Sequence, residues 1–258
     1  MIAMFADLDV RAIEAILCDA DGCLFPSEGP AFAASAVVTN ELLAELGGSR
    51  RFDAEDLRIK TSGRNFRTTA PALALEEGHH LDGDVLERWI EVEQRRVTAH
   101  LGEVLRPDPE VAEPLTRLSR LHPLALVSSS AIARVSACLE ATGLADLFPA
   151  QARFSAESSL PLPTSKPDPA IYRFATERLG ITPENGLAIE DTAPGVSAAV
   201  AAGIPTLGNL MFVPEPERPD RIDALRAAGA TGLIYAWRDL ELLLSGQRQP
   251  SRASVAAR

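Results

Sequence analysis

Short apolar runs alternate along the chain with segments whose apolar residues recur at helical spacing. Five of these runs have the length of buried strands, and we assign strands to residues 13–18, 124–127, 186–189, 204–207 and 232–235. The segments between them predict helices over about 110–120, 131–142, 168–179, 194–202 and 219–228. Because strands that alternate with helices are joined by right-handed crossovers, the pattern predicts an α/β fold whose parallel sheet has helices on both faces.

The pattern changes between about residues 30 and 103. This stretch shows no convincing buried strand, and its helical segments fall near residues 32–46, 66–77 and 84–100. We interpret it as a helical insertion after the first core strand, where a second module can close over the carboxyl edge of the sheet. The predicted domains are a core over 1–29 and 104–245, the helical insertion over 30–103, and a disordered tail over 246–258.

Composition and charge restrict the kinds of partner. Of the 258 residues, 46% are apolar and 24% are charged, as in globular proteins, and 25 basic and 36 acidic side chains give a net charge of −11. Such an acidic chain is poorly suited to nucleic acid or to anionic lipid, so we expect neither nucleic acid nor membrane as a partner. The three cysteines are too few and too scattered for a disulfide framework, which favours a cytoplasmic location.

Carboxylates and hydroxyls follow the first three predicted core strands at the point where each strand ends. Asp19 and Asp21 follow the first strand, Ser128 the second, and Glu190 and Asp191 the third. If these strands are neighbours, their parallel carboxyl ends bring the side chains to one edge of the sheet. Clustered carboxylates repel one another unless a cation neutralises them, and hard oxygen ligands of this kind suit Mg²⁺. The sequence therefore predicts a magnesium site that also accepts a substrate phosphate.

The same residues suit the transfer of a phosphoryl group. Asp19 can attack phosphorus as a covalent nucleophile. The attack brings anionic oxygens together, and Lys166, one of only two lysines in the chain, is placed to hold the phosphoryl group. The Ser128 hydroxyl and the backbone amide of Ser129 can donate hydrogen bonds to that group. Asp21, two residues after Asp19, is placed to protonate the leaving oxygen and then to activate water.

Four short motifs follow one another at predicted strand ends and loops. They are Asp19-Ala-Asp-Gly-Cys-Leu, Val-Ser128-Ser-Ser, Ser-Lys166-Pro-Asp-Pro-Ala-Ile-Tyr and Ile-Glu190-Asp191-Thr-Ala-Pro-Gly-Val. In order and spacing they resemble the four motifs of the haloacid dehalogenase superfamily, and the resemblance extends over about residues 13–245. It implies a Rossmann-like core. The insertion resembles the helical cap of members such as sugar-phosphate phosphatases and β-phosphoglucomutases.

The resemblance also implies a role for each core residue. Asp19 is then the nucleophile and a ligand of Mg²⁺, and Asp21 is the general acid and base whose backbone carbonyl binds the same metal. Asp191 is a direct metal ligand. Glu190 either supports the metal from behind the direct ligands or pairs with Lys166.

One cap segment, Lys60-Thr-Ser-Gly-Arg64-Asn65, falls where related caps have a loop that determines substrate specificity. By that resemblance Lys60, Arg64 and Asn65 bind the substrate, and Arg64 occupies a position where an arginine can bind an anionic group. The alternative is a plain exposed loop.

These features predict a Mg²⁺-dependent phosphatase that hydrolyses a small soluble phosphate monoester, a sugar or polyol phosphate, through an aspartyl phosphate. The alternative is a phosphosugar mutase. However, β-phosphoglucomutases usually carry a histidine twelve residues after the nucleophile, where this chain has Ala31. A third hypothesis is a non-catalytic module that uses the fold for binding. The chain shows no long apolar or heptad seam, so we expect a monomer.

Overall fold

The computed structural model describes residues 2–61 and 65–246 and contains a seven-stranded sheet. Its strands are β1 (Ala3–Met4), β2 (Ala15–Cys18), β3 (Leu124–Ser128), β4 (Arg153–Ser155), β5 (Gly186–Glu190), β6 (Thr206–Asn209) and β7 (Gly232–Ile234). Their spatial order is β1-β7-β6-β5-β2-β3-β4. Neighbouring strands are parallel except for β1 and β7, which are antiparallel. The predicted α/β fold is confirmed, but the sheet is not entirely parallel because β1 adds an antiparallel edge.

Ten α-helices lie within the described residues. Those of the helical insertion are α1 (Glu28–Glu45), α2 (Ala54–Thr61), α3 (Phe66–Glu76) and α4 (Gly83–Val104). The others are α5 (Pro109–Leu118), α6 (Ile132–Ala141), α7 (Ala170–Leu179), α8 (Ala193–Ala201), α9 (Arg218–Ala227) and α10 (Trp237–Leu244). All helices that the spacing predicts are present, with modest differences at their ends.

The apolar pattern does not predict four short elements, β1, β4, α2 and α10. The two strands have two and three residues, which is too short for a period to be visible. Helix α2 is largely polar and buries only Leu57 and Thr61, so it has no apolar stripe. Helix α10 has eight residues, whereas a helical period becomes evident over a longer window.

The chain divides into two compact units. The first comprises Met1–Leu24, Asp108–Ala131 and Asp146–Arg258, and the second comprises Phe25–Pro107 and Ile132–Ala145. Helix α6 belongs to the second unit because it packs against α4, whereas the boundaries predicted from the sequence place it in the core. Those boundaries stay a prediction, and of the predicted tail only Gly246 lies within the described residues.

The first unit is built around the sheet. Leu17, Val127 and Ala188 of the central strands pack with side chains of α7 and α8 in one buried cluster. Ile16 and Leu187, which precede two of these residues, are also fully buried. Because side chains alternate along a strand, these residues face the opposite side of the sheet. The central strands are therefore covered on both faces, which explains why they form unbroken apolar runs in the sequence.

The second unit has its own apolar core. Helix α1 packs against α2, α3 and α4 around Leu42, Leu73 and Trp89. The Asn40 side chain both donates to and accepts from the backbone of Phe52, at 2.8 Å in each case, and so fixes the connection between α1 and α2. The helices of this unit are therefore joined by contacts among themselves.

Candidate active site

The three central strands β5, β2 and β3 end side by side at one edge of the sheet. The last residue of β2 is paired with Ile189 of β5 and with Leu126 of β3. Asp19, the next residue, therefore lies between the ends of two strands that finish at Glu190 and Ser128. The chain continues to one side of β2 with β3 and β4 and to the other side with β5 to β7, and open α/β sheets bind ligands at such a switch point.

Lys166 is the cation that joins these strand ends. Its ammonium group forms ion pairs with Asp19 and, at 2.6 Å, with Glu190, and it donates a hydrogen bond of 2.8 Å to the Val127 carbonyl. The Lys166 side chain is only 6% exposed, so these interactions are shielded from water. Its backbone N–H donates to the Ser129 hydroxyl at 3.1 Å and ties this loop to the end of β3. The structure thus brings Asp19, Lys166 and Glu190 together.

Burial and the neighbouring charges shift the pKa values of these groups. Burial raises the pKa of Asp19 well above its usual range; Lys166 opposes this, while Glu190 and Asp191 add to it. Burial likewise raises the pKa of Asp191 to about 7, with a further contribution from Glu190, and Arg221 acts in the opposite direction. Burial alone would lower the pKa of Lys166, but the adjacent Asp19 and Glu190 outweigh it and raise that pKa. The site therefore has more negative charge than Lys166 can balance.

Three buried carboxylates form a candidate metal centre. Asp19, Glu190 and Asp191 each offer an oxygen, and these oxygens lie within 4.8 Å of one another. Neither Glu190 Oε2 nor Asp191 Oδ1 has a hydrogen-bond partner in the described part of the chain. Buried carboxylate oxygens without donors are unfavourable, and a hard divalent cation would satisfy them. The donor set therefore fits a divalent metal ion.

Two glycines provide the space that the carboxylates occupy. Gly22 adopts a φ of +74°, and a Cβ atom there would overlap the Asp191 carboxylate. A Cβ atom at Gly195, in the first turn of α8, would overlap the Glu190 carboxylate. Both glycines belong to the motifs quoted above, but their importance becomes visible only when the carboxylates are placed beside them.

Serine side chains at the end of β3 form hydrogen bonds beside Asp21, the second aspartate of the first motif. Ser130 Oγ donates a hydrogen bond of 2.7 Å to Asp21 Oδ2. The Ser128 hydroxyl is buried and accepts the backbone N–H of Ser130 at 3.0 Å. Asp21 and Ser128 are thus placed near one another, and Ser130 is a contact that the sequence reasoning did not single out.

Two further side chains contact the site without having been predicted. Tyr172, fully buried in α7, donates a hydrogen bond from its hydroxyl to Glu190, and its ring centroid lies 5.3 Å from Lys166 Nζ. Arg221 in α9 donates to the Asp191 carbonyl at 2.7 Å and lies 3.6 Å from Asp191 Oδ2. Tyr172 could have been proposed from the sequence, because it lies in the same motif as Lys166. No sequence pattern indicates Arg221, since the position of α9 follows only from tertiary packing.

Two of the three predicted cap residues are described: Lys60 lies in the last turn of α2, and Asn65 directly precedes α3. Lys60 forms an ion pair of 2.9 Å with Glu76, with both side chains partly exposed. Asn65 caps α3, because its side-chain oxygen accepts the backbone N–H of Thr68 at 3.1 Å. Arg64 lies outside the described residues. Substrate binding by these three residues therefore stays a prediction.

Comparison with known proteins identifies the family. A model of haloacid dehalogenase-like hydrolases matches residues 13–203. A phosphorylated carbohydrates phosphatase of Thermotoga maritima is 30% identical over 225 residues, which cover 86% of this chain and 94% of that protein. A phosphoglycolate phosphatase of Neisseria gonorrhoeae is 28% identical over 222 residues, which cover 83% of this chain and 90% of that protein.

A solved structure agrees with this result. A mutant of CbbY from Rhodobacter sphaeroides, in complex with xylulose-(1,5)bisphosphate, matches with a TM-score of 0.65 and 26% identity, covering 88% of this chain and 96% of that one. The fold is that of an α/β protein with a buried cluster of carboxylates at the edge of its sheet. The chain belongs to the family of haloacid dehalogenase-like hydrolases. The resemblance inferred from the four motifs is confirmed, and so is the predicted enzyme class, a phosphatase.

Proposed function

We propose that this protein is a Mg²⁺-dependent phosphatase that hydrolyses a small phosphorylated sugar or polyol through an acyl phosphate formed on Asp19. The observation that carries the proposal is the ion pair between Asp19 and Lys166 beside the buried carboxylates of Glu190 and Asp191. A carboxylate held against a lysine at the edge of an α/β sheet suits nucleophilic attack on a phosphoryl group, whose charge needs fixed cations.

In the first half-reaction, a carboxylate oxygen of Asp19 forms a bond to phosphorus while the bond from phosphorus to the ester oxygen breaks. Lys166 balances the charge of the phosphoryl oxygens that approach Asp19. The Ser128 hydroxyl and the backbone N–H of Ser129 donate hydrogen bonds to those oxygens. Asp21 gives its proton to the ester oxygen, so the alcohol leaves in neutral form.

In the second half-reaction, the now ionised Asp21 accepts a proton from a water molecule. The oxygen of that water attacks phosphorus, the acyl phosphate bond breaks, and inorganic phosphate leaves with the Asp19 carboxylate restored. Ser130, whose hydroxyl binds Asp21, keeps this carboxyl at the end of β3 during the exchange of protons. Asp21 therefore acts as the general acid in the first half-reaction and as the general base in the second.

The proposed metal ligands are Asp19, Asp191 and the backbone carbonyl of Asp21, with Glu190 paired to Lys166 behind them. Mg²⁺ is the proposed ion because the donors are hard oxygens and few in number. When bound, it supplies positive charge that offsets the repulsion between phosphoryl oxygens and carboxylates. The Asp191 Oδ1 atom, which has no hydrogen-bond partner among the described residues, supports its assignment as a direct ligand.

The proposed substrate class follows from the relatives. The Thermotoga protein is named for phosphorylated carbohydrates, and the CbbY mutant was crystallised with a sugar bisphosphate. Phosphoglycolate, for which the Neisseria protein is named, is the competing small substrate. Lys60, Arg64 and Asn65 are the proposed substrate contacts in the cap.

The test is a screen for release of inorganic phosphate in the presence of Mg²⁺, over sugar phosphates, polyol phosphates, phosphoglycolate and nucleotides. Asp19→Asn keeps the shape of the side chain but cannot act as the nucleophile, so it should fold normally and lose turnover. The matched control is Asp7→Asn, which changes an exposed aspartate of a second Asp-x-Asp sequence in the same chain. Normal turnover by Asp19→Asn, or no phosphate release from any ester, would refute the proposal.

The mutase alternative is tested with β-glucose 1-phosphate and a bisphosphate primer. The chain has Ala31, in α1, where the resemblance leads one to expect the histidine of a mutase. We therefore expect inorganic phosphate rather than glucose 6-phosphate. Isomerisation faster than phosphate release would favour the mutase.

Location and assembly stay predictions. None of the helices in the described part of the chain combines the length and the apolar character needed to cross a membrane. The three cysteines are free and buried. The cytoplasmic location, the monomeric state and the absence of nucleic acid as a partner rest on the sequence reasoning given above.

A further inference from the structure

The turn formed by residues 19–24, here called the nucleophile turn, is held by two side chains from much later in the chain. Inside the turn, the backbone N–H of Cys23 donates to the Ala20 carbonyl at 3.2 Å. The Cys23 carbonyl itself accepts a hydrogen bond from Trp237 Nε1 at 3.1 Å and another from Asn209 Nδ2 at 3.3 Å. Two side-chain donors therefore meet on one backbone oxygen.

This arrangement is completely buried. Cys23, Asn209 and Trp237 are each 0% exposed. Asn209 is the last residue of β6, and its side-chain oxygen accepts the backbone N–H of Met211 at 3.0 Å, which fixes the orientation of the amide. Trp237 is the first residue of α10. Water cannot replace a donor that is lost in such a place, so each hydrogen bond strongly restrains the geometry.

We infer that Asn209 and Trp237 are positioning residues for the active site, because they fix the nucleophile turn through the Cys23 carbonyl. The inference rests on the proposed function, in which Asp19 begins this turn and Asp21 lies two residues before Cys23. Neither Asn209 nor Trp237 acts on the substrate. A shift of the Cys23 carbonyl displaces the backbone of Asp21, and a misplacement of about 1 Å at a reacting group can cost about 10²-fold in rate.

Neither residue is indicated by the motifs or by the family comparison. The match to the family model ends at residue 203, whereas the two donors are at positions 209 and 237. The part of the chain beyond the matched region therefore contributes to the geometry of the first motif.

The test compares two tryptophan variants. Trp237→Phe removes the indole N–H and keeps an aromatic ring in the buried site. Trp89→Phe is the matched control, because Trp89 is 7% exposed and its Nε1 atom has no hydrogen-bond partner among the residues that the structure describes. Three measurements are made on the full chain: kcat and KM for p-nitrophenyl phosphate with Mg²⁺, thermal unfolding, and hydrogen exchange of peptides covering residues 19–24 by mass spectrometry.

For Trp237→Phe we expect kcat to fall by about tenfold or more with little change in KM. Amide exchange within residues 19–24 should become faster. Trp89→Phe should leave both quantities at the wild-type level, even if its unfolding temperature falls by a similar amount. A merely structural role for Trp237 would lower the unfolding temperature without changing kcat below it.

The outcomes separate the inference from the proposed function. If the wild-type protein is an active phosphatase and Trp237→Phe keeps the wild-type kcat and the wild-type exchange rate, the inference is overturned. An equal loss of kcat in Trp89→Phe would also overturn it. If the wild-type protein hydrolyses no ester, the proposed function fails, and the exchange of residues 19–24 decides whether the turn is held in this way. If Trp237→Phe does not fold, Asn209→Ser, which removes the other donor, is compared with Trp89→Phe in its place.

Discussion

Replacing Lys166 with methionine removes the charge at the centre of the site while keeping a side chain of similar length. In the wild-type protein this ammonium group pairs with Asp19 and Glu190 and lies near the ring of Tyr172. Methionine fills a similar volume beside the ring but carries no charge. Without the cation, two buried carboxylates face each other, and the pKa of Asp19 rises further because Lys166 is the group that lowers it. A higher pKa of Asp19 disfavours the ionised carboxylate that the proposed attack on phosphorus requires.

The expected effects are large because the lysine is buried. Removing one partner of a buried ion pair costs about 3–5 kcal/mol of stability. Removing one charged contact to the transition state costs about 10²–10³ in kcat. Lys60 offers a matched control for stability: its pair with Glu76 is partly exposed, so Lys60→Met should change the free energy of unfolding by about 0–1 kcal/mol.

The assays are urea denaturation in the absence of metal and phosphate release from p-nitrophenyl phosphate with Mg²⁺. We expect Lys166→Met to unfold at lower urea concentration than Lys60→Met and to retain at most about 1% of wild-type kcat. A Lys166→Met protein with kcat close to that of the wild type would refute the assignment of Lys166 to the phosphoryl group. Equal stability of the two variants would refute the argument from burial.

Three further predictions concern the remaining parts of the site and the cap. Gly195→Ala should lose about 1–3 kcal/mol of unfolding free energy and most of its activity, because the new Cβ overlaps the Glu190 carboxylate. The control Gly102→Ala, in open space within α4, should gain up to about 1 kcal/mol of unfolding free energy. Equal urea midpoints for the two variants would contradict this prediction. EDTA should abolish turnover and Mg²⁺ should restore it and raise the unfolding temperature, since the ion relieves carboxylate repulsion; full activity in EDTA is the contrary result. Asn65→Ala should lower the free energy of unfolding, measured by urea denaturation, by about 1 kcal/mol, because it removes the side-chain oxygen that accepts the Thr68 N–H at the start of α3. An unchanged free energy of unfolding would show that this cap contributes nothing.

The sequence by itself determined the elements and the motifs. The central strands are recognisable because both of their faces are buried, which requires unbroken apolar runs such as the one that ends at Cys18. The candidate site residues Asp19, Ser128 and Glu190 follow these runs directly, so they can be found without knowing any contact. Their convergence follows only if the three strands are neighbours, and the strand order of the folded sheet shows that they are. A helical insertion is similarly evident from a stretch with helical spacing and no buried strand.

Only the tertiary structure decided which other residues complete the site. Arg221 reaches Asp191, and Trp237 and Asn209 reach the Cys23 carbonyl, across separations that no local pattern encodes. The importance of Gly195 depends on a carboxylate that happens to lie against its Cα atom. Each of these contacts depends on how the helices pack on the sheet, and packing is a property of many side chains at once. Periodicity reports only which face of an element is buried, so it cannot name the partner that the face will meet.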